Sequence, residues 1–135
     1  MKILYVYLSM LVTFFAIDMV WLGLVAKKFY ANQLGDLMAD SPNWLVAIIF
    51  YACYIVGIYI FAVRPALVSG SVMTGLIYGA LFGFFCYATY DFTNLATLKN
   101  WPTTMVYVDI IWGIVITGTT ALIGSWVALK LGTSA

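Results

Sequence analysis

Long apolar stretches, broken by short polar connections, occur four times along the chain. A bilayer core about 30 Å thick is crossed by about 20 helical residues that each rise 1.5 Å. Four stretches reach that length, and they predict helices over residues 3–26, 44–63, 71–92 and 103–129. Backbone groups in lipid must be satisfied within their own segment, which favours helices. The pattern therefore predicts an all-α integral membrane protein, with one four-helix transmembrane domain over residues 1–135.

The longest connection, KKFYANQLGDLMADSPN (residues 27–43), has a helical pattern of its own. Its larger apolar side chains recur on one helical face: Tyr30, Leu34, Leu37 and Met38. This spacing predicts a short interfacial amphipathic helix between the first two membrane helices. Ser41 and Pro42 then fit the N-cap and the first position of the second membrane helix.

The composition supports a membrane location and excludes several classes of function. Hydrophobic residues make up 65% of the chain and charged residues 8%, whereas soluble domains carry roughly 25% charged residues. A net charge of +1 without a basic run gives no reason to expect a nucleic-acid partner. Histidine is absent and the two cysteines have no metal-binding spacing, so we predict no metal centre and no cofactor.

The basic residues do not determine the orientation in the membrane. With four spans, one side carries Lys2, Arg64 and Lys130, and the other carries Lys27, Lys28 and Lys99. Three basic residues on each side of the membrane give no positive-inside bias. We predict a single topology with the termini in the cytoplasm. The alternative is insertion in both orientations, with antiparallel pairing into a homodimer.

Two similar motifs place an aspartate and a tryptophan inside membrane helices. They are AIDMVWLGLV in the first helix and YVDIIWGIVI in the fourth. Asp18 and Trp112 both lie about 13 Å from the same membrane side, and Trp21 and Asp109 both lie about 9 Å from it. If the first and fourth helices are antiparallel neighbours, each indole N–H meets the opposite carboxylate. We therefore predict two hydrogen bonds, Trp112 to Asp18 and Trp21 to Asp109.

A third aspartate lies near the same side of the membrane. Asp91 ends a stripe of residues spaced four apart in the third helix: Gly75, Gly79, Gly83, Tyr87 and Asp91. Small residues at this spacing allow two helices to approach closely. The stripe therefore predicts helix packing that leads toward a carboxylate.

Carboxylates inside a membrane are costly and usually functional. Three of them in a low dielectric cannot all be ionised, so such a group exchanges protons or holds a cation. We assign the catalytic or proton-exchanging role to Asp18, Asp91 and Asp109. The predicted substrate-binding residues lie around them: Trp21, Trp112, Tyr87, Tyr90, Tyr107, Thr93, Asn94 and Lys99.

These residues fit more than one function. Aromatic side chains and acids together suit a proton-linked transporter or carrier of a small amphiphilic compound, cationic or lipid-like. The alternative is a membrane enzyme in which aspartates act as general acid and base on a fatty acyl or isoprenoid substrate. A structural subunit that binds a partner helix is a third class. The aspartates, together with Thr93 and Asn94, could also hold Mg²⁺ or Ca²⁺ through oxygen ligands, and this alternative stays open.

The stretches that hold these residues resemble a known family. FFAIDMVWLGLVAKKFY, YATYDFTNLATLKNWP and VDIIWG are similar to segments of small bacterial predicted membrane proteins with only a domain-of-unknown-function label. The resemblance covers nearly the whole chain and includes the three aspartates and two tryptophans. It implies a multi-pass protein of the bacterial inner membrane with four helices, and it favours a role that involves membrane lipids.

Overall fold

The computed structural model describes residues 1–135 and consists of four long helices. Their bounds are Lys2–Leu37 (α1), Trp44–Ser69 (α2), Val72–Thr97 (α3) and Thr103–Lys130 (α4). Each is long and apolar enough to cross a membrane. The predicted all-α fold with four spans is therefore confirmed, and the first three helices extend several residues beyond their predicted C-terminal ends.

Helix α1 continues through the segment for which we predicted a separate interfacial helix. A short α-helix does form at Lys27–Leu34, but a π-helical turn at Leu22–Ala26 joins it to the first span without a break. Tyr30 and Leu34 pack against Met105 and its neighbours at the start of α4. Leu37 and Met38, which we placed on the same apolar face, are exposed instead. A 3₁₀ turn beginning at Gly35 ends the regular helix before them.

The N-cap of helix α2 lies two residues later than predicted. Asn43 is the N-cap, and its side chain accepts a hydrogen bond of 3.2 Å from the Val46 N–H. A second π-helical turn at Tyr59–Val63 precedes Pro65. Proline has no N–H to donate to the carbonyl four residues earlier, which explains the change in hydrogen bonding there. The helix ends at Gly70, whose left-handed backbone suits glycine.

Helices α3 and α4 form the closest pair, and the glycine stripe is the reason. A Cβ on Gly75 would strike Ser125, one on Gly79 would strike Ala121, and one on Gly83 would strike the Gly113 carbonyl. The absence of these Cβ atoms lets the two backbones meet, as the spacing predicted.

Helices α1 and α4 are antiparallel neighbours, as the paired motifs predicted. Met10 lies against Gly124, and eight residues further along α1 the Asp18 carboxylate meets Trp112. Toward the chain termini, the four helices enclose an apolar core that contains Met10, Phe14, Ile58 and Ile116. Helix α4 is the most buried of the four, with 44% of its apolar 18-residue stretch buried inside the bundle.

The bundle is open on the opposite half. Helix α2 contacts α3 mainly through its second half, Tyr59–Val63 and Arg64–Ser69, next to the turn at Gly70. The first half of α2 contacts α1 and α4 instead. Helices α2 and α3 therefore diverge from their connecting turn, and a cleft remains between them.

Candidate functional site

The cleft leads into an open cavity of about 1140 Å³ that all four helices line. Its wall is mostly apolar and aromatic, and two of the three intramembrane aspartates belong to it, Asp18 and Asp109. Five of the predicted substrate-binding residues also lie in the wall: Trp21, Trp112, Tyr87, Tyr90 and Thr93. Such a combination of apolar walls and a few polar groups is typical of small-molecule sites.

Asp18 is the best-satisfied acid of the group. Its side chain is only 6% exposed. Tyr51 on α2 donates a hydrogen bond of 2.8 Å to Oδ2, and the Trp112 Nε1–H on α4 donates one of 3.4 Å to Oδ1. The predicted pairing of Trp112 with Asp18 is confirmed. This carboxyl group therefore ties α1 to two other helices through neutral donors.

The second half of the predicted cross-pairing is wrong. The Trp21 Nε1–H is buried and has no hydrogen-bond partner. The Trp21 ring stacks on the Trp112 ring instead, with centroids 4.4 Å apart and planes 11° apart. Stacking covers one flat face of each indole. It directs the Trp21 ring toward Trp112, and a different residue donates to Asp109.

That donor is Tyr30, whose hydroxyl lies 2.7 Å from Asp109 Oδ1. Tyr30 reaches Asp109 because α1 runs on past its π-helical turn and lies along the start of α4. In the π-helical turn, the Lys27 N–H bonds to the Leu22 carbonyl, five residues back. Turns of this kind are often found beside functional sites.

Asp91 is completely buried, with 0% of its surface exposed. Neither of its carboxylate oxygens has a hydrogen-bond partner, although the carboxyl lies close enough to Asp109 to interact with it. Asp91 does not line the cavity itself. It stands behind Asp109, at the end of the glycine stripe of α3. Two carboxylates this close in a low dielectric repel each other when both are ionised.

Three of the predicted substrate-binding residues, Tyr107, Asn94 and Lys99, do not line the cavity. Tyr107 is 58% exposed on the outer surface of α4. Asn94 and Lys99 lie beyond the cavity wall, near and after the end of α3. Thr93 does line the cavity, but its hydroxyl donates to the Thr89 and Tyr90 carbonyls of its own helix. The structure thus brings the acids and indoles together and leaves these polar residues at the periphery.

Sequence reasoning missed three tyrosines of the site: Tyr30, Tyr51 and Tyr54. The first two donate to the acids, and the Tyr54 hydroxyl lies 2.9 Å from Thr117 Oγ1 in the cavity floor. Their signal was available, since a tyrosine inside an apolar helix needs a partner for its hydroxyl. We had placed Tyr30 among the interfacial residues because its spacing matched an amphipathic helix.

The site contains acids but no basic side chain. The groups that interact with the Asp18 carboxyl are Tyr51, Trp112 and Asp109, and the cavity wall includes no lysine or arginine. No three histidine, cysteine, aspartate or glutamate side chains are placed to hold a metal ion together. An acid in such surroundings is stable when it is protonated or when a cation lies beside it. The geometry therefore suits proton exchange and cation binding.

A comparison with protein families gives one match. The family model described as Predicted membrane protein (DUF2177) matches residues 3–126. No curated protein and no solved structure matches the chain. The matched range covers most or all of each helix and includes the three aspartates, Trp21 and Trp112.

Proposed function

We propose a function from the premise that the chain belongs to this family of predicted membrane proteins, DUF2177, and is a multi-pass membrane protein. In this proposal it is a proton-linked carrier for a small amphiphilic compound, cationic or lipid-like. It works in the bacterial inner membrane, with membrane lipids and the carried molecule as its partners. Asp18 and Asp109 exchange the proton, and the aromatic wall holds the carried molecule.

The observation that carries this proposal is the placement of Asp18 and Asp109 in the wall of a large cavity without a basic partner. Both carboxyls receive hydrogen bonds from neutral donors, Tyr51, Trp112 and Tyr30. Neutral donors position a carboxyl group without neutralising its charge. Each acid is thus free to take either a proton or a cation.

Competition between the proton and the carried molecule would supply the coupling. When a cationic group lies against Asp18 and Asp109, it stabilises their ionised form, and the proton is released. When the cationic group leaves, the carboxyls take up protons again. Asp91, directly behind Asp109, provides a second acceptor for that proton.

A carrier also needs a second opening, and the two π-helical turns are suitable hinges for it. One lies in α1 directly after Trp21, and the other lies in α2 directly after Ile58, beside the apolar core. A shift of hydrogen bonding at these turns would rotate the helix ends that enclose the cavity.

The alternative function is a membrane enzyme that acts on a fatty acyl or isoprenoid substrate. The cavity has its opening on one half of the bundle, while the other half is a packed core, and one opening is enough for an enzyme. In this case one acid is protonated and acts as the general acid, and an ionised neighbour acts as the base.

A purely structural role has less support. The glycine stripe that would receive a partner helix is already filled by α4 of the same chain. The cost of three acids in a membrane also remains unexplained in a structural subunit.

Comparison of membrane lipids by mass spectrometry, in a strain that lacks the gene and in its parent, separates carrier from enzyme. The carrier predicts unchanged lipid species and an altered tolerance to hydrophobic cations. A missing or accumulated lipid species, restored by the wild-type gene and not by an Asp18→Asn gene, would favour the enzyme. Expression of Tyr107→Phe provides a matched control, because Tyr107 lies outside the cavity.

A further inference from the structure

We infer that the ligand of this cavity is a single-chain amphiphile with an ammonium head, which enters sideways from the bilayer between α2 and α3. The inference deepens the proposed function and rests on it in taking this cavity as the binding site. It adds a chemical class for the ligand, a route of entry and an orientation in the cavity.

The route follows from the way α2 and α3 diverge. Near their turn the two helices are joined by stacked rings, with Phe82 of α3 between Tyr54 and Phe61 of α2. Phe82 also fills the space beside Gly57, where a Cβ would lie 3.1 Å from its ring. Past this contact the helices separate, and the cleft opens toward the first and third connections.

The cleft opens at membrane depth. Phe85 on its α3 edge lies about 18 Å along the helix from Thr97, at 1.5 Å per residue. Apolar side chains with large exposed fractions line both edges: Val46 60%, Phe50 57% and Phe85 62%. At this depth such side chains face acyl chains, so an alkyl chain could pass between them without contacting water.

The charge of the site determines the head group that it accepts. Asp18 and Asp109 line the cavity, and no lysine or arginine does. Behind them, Asp91 is fully buried and both of its oxygens lack partners. A carboxylate or phosphate head would be repelled by these acids, whereas an ammonium head would be attracted. The Trp112 and Tyr51 rings beside Asp18 add cation–π attraction.

The size of the cavity fits a chain as well as a head group. Small-molecule sites usually measure about 300–1,000 Å³, and this cavity has about 1140 Å³. The acids lie on α1 and α4, across the cavity from the cleft between α2 and α3. A ligand with its head at Asp18 therefore extends its chain past Tyr54 and Phe82 toward the lipid.

The two cysteines allow a direct test. Cys86 lines the cavity, while Cys53 is exposed on α2 and does not. A Cys53→Ser variant keeps only the reporter Cys86, and a Cys86→Ser variant keeps only the control Cys53. Each variant is reconstituted in phosphatidylcholine nanodiscs and labelled with the lipid-soluble reagent N-cyclohexylmaleimide. Labelling rates are then measured with dodecyltrimethylammonium, with dodecanoate, or with neither, at the same mole fraction in lipid.

We expect Cys86 to react with the lipid-soluble maleimide and dodecyltrimethylammonium to slow this reaction severalfold. Dodecanoate should leave the rate at Cys86 unchanged, and neither amphiphile should affect Cys53. In the Cys53→Ser background, Asp18→Asn combined with Asp109→Asn should remove the protection and leave the labelling itself intact. This last variant separates binding at the acids from a general change of the bilayer.

Two results would overturn the inference. Protection of Cys86 by dodecanoate that equals or exceeds protection by dodecyltrimethylammonium would refute the ammonium head. Reaction of Cys86 with a membrane-impermeant sulfonated maleimide alone would show that the cavity opens to water and not to lipid. Proton flux in proteoliposomes is a separate readout for the proposed function. Protection without flux would reject the carrier and keep this site, whereas flux without protection would reject this site and keep the carrier.

Discussion

Single side chains decide which groups meet in this site. The Asp18 carboxyl accepts hydrogen bonds from two helices, through Tyr51 and Trp112. Asp109 accepts one from Tyr30, across 79 positions of sequence. Each acid therefore holds helices together, and in the proposed function it also exchanges a proton.

Substitutions at Asp18 should separate these two effects. Asparagine keeps one acceptor oxygen for Tyr51 or Trp112 but cannot ionise, so Asp18→Asn should abolish proton-linked function with a small loss of stability. Leucine leaves both donors unsatisfied, and each unsatisfied group costs about 1–3 kcal/mol. Asp18→Leu should therefore lower the free energy of unfolding more than Asp18→Asn. Thermal unfolding in detergent, followed by circular dichroism, measures the difference. Equal stability and equal activity of the two variants would show that the carboxyl serves neither purpose.

Removal of the Tyr30 hydroxyl should loosen the end of α1. Tyr30→Phe keeps the ring against the apolar cluster at the start of α4 but loses the 2.7 Å hydrogen bond to Asp109. A hydrogen bond to a charged group contributes about 1.5–3 kcal/mol, and a neutral one about 0.5–1.5 kcal/mol. We expect faster hydrogen exchange of the backbone amides in Lys27–Leu34, measured by mass spectrometry. The control is Tyr107→Phe, which alters an exposed tyrosine of α4 and should change nothing in this segment. Equal exchange in both variants would contradict the role of Tyr30.

The depth of a residue along its helix could be predicted from the sequence, but the direction in which its side chain points around the helix axis could not. Asp18 and Trp112 were expected to meet because their distances from the membrane surface match, and they do meet. The same argument failed for Trp21 and Asp109. Trp21 stacks on Trp112. Tyr30, which lies outside the predicted span, donates the hydrogen bond to Asp109 instead. Neither competing contact is visible from helical rise alone.

At the scale of helices, the contact between α3 and α4 depends on the absence of side chains. Gly83 lies against the Gly113 carbonyl, and Gly113 in turn lies against the Tyr87 ring. The close approach of these backbones places Tyr87 and Asp91 next to α4. The glycine stripe thus determines where the acid of α3 meets the acid of α4.

An alanine at Gly83 should force these helices apart. Its Cβ would strike the Gly113 carbonyl and Thr117, which cannot move without a backbone shift. Overpacking of this kind typically costs about 1–3 kcal/mol. Gly118→Ala is a matched control on the same helix pair, because its Cβ would lie 3.4 Å from Leu76 and 3.5 Å from Ala80. We expect a lower midpoint of thermal unfolding for Gly83→Ala than for Gly118→Ala. Similar midpoints would show that the contact is adaptable.

The number of helices was predictable, whereas the C-terminal ends of three of them were not. Hydropathy identifies only the part of a helix that contacts lipid, and four such stretches were clear. Helix α1 continues to Leu37, α2 to Ser69 and α3 to Thr97, beyond the ends predicted from the apolar stretches. Tertiary contacts stabilise these extensions, such as the packing of Tyr30 and Leu34 on α4. Contacts between segments distant in sequence leave no local pattern to read.

At the scale of the whole molecule, the two halves of the bundle differ. One half is a packed apolar core around Phe14 and Ile58, and the other holds an open cavity with acids in its wall. The α2–α3 turn and the stacked Phe82 join the halves. This asymmetry is expected for one state of a carrier, whose core must open when the cavity closes.

Proton flux driven by a permanent cation is the decisive measurement for the proposed carrier. The protein is reconstituted in liposomes that contain the pH-sensitive dye pyranine, and hexyltrimethylammonium, which cannot carry a proton itself, is added outside. Wild-type protein should raise the internal pH in a saturable way, as protons leave in exchange for the cation. Asp18→Asn should abolish this change, and Tyr107→Phe should retain it. Wild-type liposomes that respond no faster than protein-free liposomes would contradict proton-linked transport through this site.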